Sequence, residues 1–202
     1  MNKDWKGDSN SVYKTLGSSN HCEDERQNED YYATDPEACE MLLKIVDLDK
    51  SEPIWECASG ENHLADVFKS HGYFVRTSDI MKRTETTEVI DFLSPQVKEW
   101  NGNIITNPPY NKAKEFIEKS LSIVPEGKKV IMFLKLQFLE GKSRKKLFQD
   151  NPPKEAWVSS SRLLGAKNGD FETARPMGSA VAYCWYIWEK GYKGDTILKW
   201  FN

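Results

Sequence analysis

Val130-Ile131-Met132-Phe133-Leu134 is an unbroken apolar run, and a helix with one wet face or a strand with one wet side has no place for it. It suits a strand in the centre of a sheet covered on both faces. Upstream, Pro53-Ile54-Trp55 leads into Glu56-Cys57-Ala58-Ser59-Gly60-Glu61-Asn62, and then Leu64, Val67 and Phe68 fall at helical spacing. Strand, glycine-bearing turn and helix in that order read as a nucleotide-binding βαβ unit, in which the glycine lets the backbone approach a ligand. Further strands are expected at Tyr73-Phe74-Val75, which ends in Asp79, and at Val89-Ile90, which leads to Asp91-Phe92. Asn103-Ile104-Ile105-Thr106, Ala156-Trp157-Val158 and the stretch from Ala180 to Trp188 read the same way, the last able to form an edge hairpin with its neighbour. The aromatic density around Trp185 and Trp188 is read as core and interface packing in preference to a base-stacking platform. Helical spacing of Ala113, Phe116, Ile117 and Leu121 fills the interval up to Pro125-Glu126-Gly127. The class is α/β, and 202 residues with 39% hydrophobic content suit one sizeable core plus a tail.

That tail is residues 1–30, rich in Ser, Asn, Asp and Glu, and it is expected to be mobile. Order is expected from about Tyr31. Asp35-Pro36 opens a helix by cap and proline, with Cys39, Leu42, Leu43 and Val46 as its buried stripe. The net charge of -3 gives no overall basic footprint, so any nucleic-acid contact has to come from local patches. Cys22, Cys39, Cys57 and Cys184 have no paired short spacing, which argues against zinc and against a disulfide scaffold. A reducing cytoplasm is the expected location. No membrane span or signal peptide is read.

Directly after the strand at residues 103–106 stands Asn107-Pro108-Pro109-Tyr110. The Asn side-chain oxygen and a Pro-Pro carbonyl both accept hydrogens from a planar NH2, and Tyr110 offers a face for stacking. The prolines stiffen the turn and remove its donors. The competing reading is an ordinary strand-to-helix turn, since Asn-Pro favours turns generally. Asn151-Pro152-Pro153-Lys154 is an internal control: it lacks the aromatic, follows a polar stretch and reads as a helix terminator.

Taken together, these motifs resemble the S-adenosylmethionine-dependent amino-group methyltransferases that act on adenine N6 of DNA, and small phage-encoded members in particular. The resemblance runs from about Tyr31 to Trp188. It implies a Rossmann-like class I methyltransferase, with a mostly parallel seven-stranded sheet and helices on both faces. It implies a catalytic role for Asn107, Pro108, Pro109 and Tyr110, with the base extruded onto Tyr110. It places S-adenosylmethionine against Glu56, Cys57, Ala58 and Gly60, against Asp79 with Ile80, and against Asp91 with Phe92. Tyr32-Ala33-Thr34-Asp35-Pro36 is similar to the family's aromatic-Thr-Pro segment, so Tyr32 and Thr34 join the cofactor set. The family usually has a second glycine where this chain has Asn62, the non-glycine residue type most tolerant of positive φ.

No metal is implied. Residues 31–202 form one catalytic domain in this reading, and the gap from Gly60 to Asn107 is too short for a separate target-recognition domain. DNA is the expected partner, with RNA as an alternative. Protein glutamine presents the same planar NH2, and a non-catalytic binding module on this fold is a further alternative. A phage-encoded protein would work in the host cytoplasm, and oligomeric state is not read. Lys142, Arg144, Lys145 and Lys146 form a cation cluster at the sheet end where ligands sit, read either as a phosphate path or as a solvated helix start. Arg162 to Arg175 reads as a long polar loop whose Phe171 either holds a base or packs.

Overall fold

The computed structural model describes residues 32–160, 165–167 and 181–201. The expectations for the tail at residues 1–30 and for Phe171 lie outside the described residues. Strand β1 is Tyr32–Thr34 and helix α1 is Pro36–Ile45. The Asp35 carboxylate caps α1 by accepting the Glu37 amide at 3.0 Å, and proline occupies the first helical turn, where no donor is needed. Its buried residues are Ala38, Cys39 and Leu42, whereas Leu43 and Val46 are only half-buried, so the stripe is narrower than expected.

Next come β2 at Ile54–Glu56, α2 at His63–Ser70, β3 at Val75–Asp79, β4 at Glu88–Val89 and β5 at Asn103–Thr106. A 3-10 turn, Tyr110–Lys112, leads into α3 at Ala113–Ile123, followed by β6 at Lys129–Lys135. Two more 3-10 turns, Leu136–Leu139 and Lys142–Arg144, precede α4 at Lys145–Asp150. The chain then forms β7 at Glu155–Ser159, β8 at Gly165–Lys167, β9 at Tyr183–Glu189 and β10 at Ile197–Phe201. Asn151 ends α4, with its amide on the Leu147 carbonyl at 2.8 Å, and prolines 152 and 153 prevent continuation as expected.

The main sheet has the order β10-β7-β9-β6-β5-β2-β3-β4. Its strands from β6 to β4 are parallel, β9 runs antiparallel to both β6 and β7, and β10 is parallel to β7. This is the Rossmann-like class I methyltransferase fold. There are eight strands instead of the expected seven, and the added one is β10, whose exposed Ile197, Leu198 and Trp200 give no alternation of apolar and polar positions to betray a strand. The stretch from Ala180 to Trp188 does not make an edge hairpin either, because β9 lies inside the sheet. Part of the loop expected at residues 162–175 is a strand: β8 pairs antiparallel with β1, Ala33 opposite Ala166. Tyr73 and Phe74 precede β3, and Phe74 is exposed.

The apolar run finds its physical reason in two cores, one on each face. Val130, Met132 and Leu134 enter the core that α3 covers, with Phe116, Ile117 and Trp188, while Ile131 and Phe133 enter the one that α1 and α2 cover, with Leu42, Phe68 and Trp185. Each fully buried side chain of this size contributes about 1.5–3 kcal/mol. The indoles of Trp185 and Trp188 are satisfied on the Ala38 and Asn151 carbonyls, both at 3.0 Å. At the opposite edge, Arg76 holds the short β4 by a bidentate pair with Glu88 at 2.8 and 2.7 Å.

Gly102 precedes β5 with no room for a side chain: a Cβ there would be driven into the Pro53 carbonyl oxygen and would lie 2.9 Å from Trp100 Nε1. Because the obstacle is backbone, Gly102→Ala is expected to cost about 1–3 kcal/mol through overpacking. Denaturant unfolding checks this, with an unchanged midpoint as the contrary result.

Candidate active site

Strands β2, β3, β4 and β5 run parallel, so the turns that follow them gather at one end of the sheet, where open α/β folds bind ligands. There they enclose a cavity of about 300 Å³. The turn after β2 contributes Cys57 and Ala58, β3 and its loop contribute Asp79, Ile80 and Arg83, and the turn after β4 contributes Ile90, Asp91, Phe92 and Leu93. Asn107, Pro108 and Pro109 form the wall after β5, joined by Lys112 and Phe116.

The glycine turn is built by backbone geometry. Gly60 and Asn62 both have positive φ, 52° and 69°, so the left-handed conformation expected of Asn62 is present. Ser59 N–H donates to the Ser78 carbonyl at 2.9 Å, stitching the turn to β3. Asp79 is 7% exposed and accepts the Gly60 amide on Oδ2 at 2.8 Å and the Met81 amide on Oδ1 at 3.1 Å. A carboxylate has about four acceptor positions, so Asp79 braces the turn and still has lone pairs for hydroxyls. Asp91 is exposed and accepts the Leu93 amide at 3.0 Å. Phe92 packs on Trp55 and Phe116, with ring centroids at 5.3 and 5.1 Å, which makes the cavity's apolar wall part of the core.

Glu56 lies behind the turn, 3% exposed. Burial pushes its carboxyl well above the usual range, against the opposing effect of a hydrogen bond from the Ala65 amide. Its Oε2 has no hydrogen-bond partner among the described residues. Burial likewise raises the Cys57 thiol, with the Glu56 carboxyl adding to the effect, so this cavity-lining sulfur stays neutral.

The acceptor tetrapeptide is split between two spaces. Asn107, Pro108 and Pro109 face the main cavity, while Tyr110 faces a neighbouring one of about 170 Å³ with Ala113, Leu134, Lys135, Gln137, Phe138 and Arg144. The Lys135 ammonium stands 4.9 Å from the Tyr110 ring centre.

Of the expected cofactor residues, Cys57, Ala58, Asp79, Ile80, Asp91 and Phe92 reach the main cavity. Glu56 and Gly60 stand in the supporting turn. Thr34 is buried at the end of β1 and does not line the cavity, and the Tyr32 side chain lies outside the described residues. Sequence reading missed Arg83, Ile90, Leu93, Lys112 and Phe116 as lining residues. Their signal was proximity: Arg83 follows Asp79 on one loop, and Lys112 follows Tyr110 by two positions.

In the cation cluster, Arg144 is spent on structure. Its Nε donates to the Phe138 carbonyl at 2.8 Å, its Nη2 reaches the Glu140 carbonyl, and the guanidinium lies 4.9 Å from the Phe138 ring centre. Lys146 pairs with Asp150 at 2.6 Å. Lys142 and Lys145 are exposed. Among the described residues no helix is long and apolar enough to cross a membrane, and no cluster of three or more His, Cys, Asp or Glu stands ready for a metal.

Comparison with solved structures returns the same fold. A protein from Listeria monocytogenes assigned to the class I S-adenosylmethionine-dependent methyltransferases superposes with a TM-score of 0.56 at 14% identity, over 81% of this chain and 62% of that one. The methyltransferase subunit of a type I restriction-modification system from Streptococcus thermophilus gives 0.57 at 11%, over 82% and 46%. The type IIG restriction endonuclease BpuSI gives 0.60 at 14%, over 84% of this chain and 26% of that one. This chain thus spans less than two thirds of each of these proteins. No protein-family model and no curated protein matches the sequence.

Proposed function

We propose that this protein is an S-adenosylmethionine-dependent methyltransferase acting on an exocyclic amino group, adenine N6 of DNA. One observation carries the reading: the acids and apolar residues suited to the cofactor and the acceptor turn Asn107-Pro108-Pro109 wall a single cavity. The cavity fits the cofactor by donor set. Asp79 has spare acceptors for ribose hydroxyls, and Asp91 stands beside the apolar Ile80, Ile90 and Phe92 for an adenine amino group and ring. Two of the solved structures alike in fold are a type I restriction-modification methyltransferase subunit and a type IIG restriction endonuclease, a likeness that supports the DNA reading.

Bound S-adenosylmethionine supplies an electrophilic methyl group. The chain's residues have to prepare the nucleophile, because the amino lone pair is shared with the ring. Asn107 Oδ1 and the Pro108 carbonyl would accept the two N–H hydrogens and draw the nitrogen toward tetrahedral geometry. The rigid prolines hold those acceptors in advance, and placement with a matched electrostatic setting provides most of the acceleration. Methyl transfer would form an N–C bond in exchange for the donor's S–C bond, with the surplus proton passing to solvent.

The test is methyl transfer from labelled cofactor to duplex DNA, single-stranded DNA, RNA and a glutamine-bearing protein. DNA labelled at adenine N6 is the expected result; label confined to RNA or protein would move the substrate class, and none at all with no cofactor binding would leave a non-catalytic module. For DNA, binding should weaken steeply with salt, and Lys142→Gln with Lys145→Gln should flatten the log-log slope by up to about two units, at about 0.9 per phosphate contact.

A further inference from the structure

Asn62 does more than tolerate a left-handed turn. Its side chain is 4% exposed in residue terms and spans to the loop that follows β3, donating from Nδ2 to Thr84 Oγ1 at 2.8 Å and to Thr86 Oγ1 at 3.1 Å. Its Oδ1 accepts from Thr87 Oγ1 at 3.3 Å. Thr84 and Thr87 are joined to each other at 2.7 Å, and Thr77 of β3 donates to the Thr86 carbonyl at 3.2 Å. The backbone of Asn62 meanwhile anchors the turn itself, with its N–H on the Ser59 carbonyl and its C=O accepting the Asp66 amide, both at 2.8 Å. Glycine at this position would satisfy φ at no cost and supply none of the side-chain bonds.

Two walls of the main cavity are tied by this one side chain: the turn that carries Cys57 and Ala58, and the loop that carries Ile80 and Arg83. We infer that Asn62 is a positioning residue that braces residues 80–87 against the glycine turn and so presets the cofactor cavity before ligand arrives. The inference rests on the proposed cofactor use for its affinity effect and on geometry alone for the brace. A loop held in its bound shape has less freedom to lose on binding. The brace therefore acts on affinity, not on the chemical step: Asn62 is not among the residues that line the cavity.

The experiment has two readings of Asn62→Gly, which keeps the backbone conformation and deletes the brace. Hydrogen exchange of the amides of residues 80–87 in the ligand-free protein should speed up, with global melting near wild type. S-adenosylmethionine Kd, by calorimetry, should rise about tenfold, the size of one or two net hydrogen bonds, while kcat at saturating cofactor stays within about twofold. Thr84→Val with Thr86→Val should reproduce most of the loss in the Asn62 background and add little to Asn62→Gly, because it removes two of the three side-chain bonds that Asn62→Gly deletes. Unchanged exchange, or additive losses, would overturn the brace. A wild-type protein that binds no cofactor would defeat the proposed function instead, and the exchange result would still decide the brace. Unchanged Kd in Asn62→Gly beside a binding wild type would defeat this inference alone.

Discussion

Asn107→Ala is expected to lower methyl transfer by about a hundred- to a thousandfold, the range seen when one preorganised group facing a transition state is removed. Asn107 stands on the wall after β5 and is not one of the acids that suit the cofactor, Asp79 and Asp91, so cofactor affinity should stay within a few fold. Single-turnover kinetics with labelled cofactor, paired with calorimetry, separates the two quantities. Turnover near wild type would remove Asn107 from the chemistry. A matching loss of cofactor affinity would mean that the cavity had collapsed instead, which an unchanged melting temperature excludes.

The second large effect is expected at Asp79, in the opposite sense. Asp79→Ala should raise the cofactor Kd by at least about tenfold, since a hydrogen bond to a charged group contributes roughly 1.5–3 kcal/mol. The structure adds a second consequence. The same carboxylate accepts the Gly60 and Met81 amides, so its removal strands two backbone donors around the turn. Thermal stability should fall as well, and kcat at saturating cofactor should change less than Kd. Affinity equal to wild type would show that the acid at the end of β3 holds no part of the cofactor.

Where side-chain pattern and local chemistry agree, the fold was readable in advance. Asp35-Pro36 starts a helix because a carboxylate caps it and proline needs no partner there, and both facts are local. Val130 to Leu134 announced a strand covered on both faces because its two sets of side chains enter two different cores. β10 was invisible for the converse reason. Exposed Ile197, Leu198 and Trp200 beside buried Phe201 carry no period, and the strand exists because β7 offers it a backbone ladder, a tertiary cause. β8 was hidden likewise, its residues Gly165-Ala166-Lys167 having little strand character until β1 pairs with them.

The site divides along the same line. Cys57, Asp79, Asp91 and Asn107 were found because each sits within a residue or two of a strand end, where position in the chain fixes position in space. Arg83 and Lys112 lie farther along the loops, where only the folded path decides what faces the cavity. Arg144 shows the limit of reading charge by composition: it belongs to a cationic cluster in the chain and serves as a clasp for backbone carbonyls in the fold.

The placement of β9 has a consequence for how the protein is made. β9 lies between β6 and β7, and β10 reaches the main sheet only through β7, so the main-sheet strands β7 and β10 hang on the strand at Tyr183–Glu189. On a ribosome, β2, β3, β5 and β6 have emerged together once residue 135 is out, yet the far side of β6 still presents an open row of amides and carbonyls beside five consecutive apolar residues. That edge closes only when residue 189 has followed, an interval of roughly three to ten seconds at about 5–20 residues per second. A bare apolar strand edge recruits foreign strands. The nascent chain thus passes through a window of aggregation hazard set by topology, and a translational pause after β6 would lengthen it in a protein whose finished form shows no such edge there.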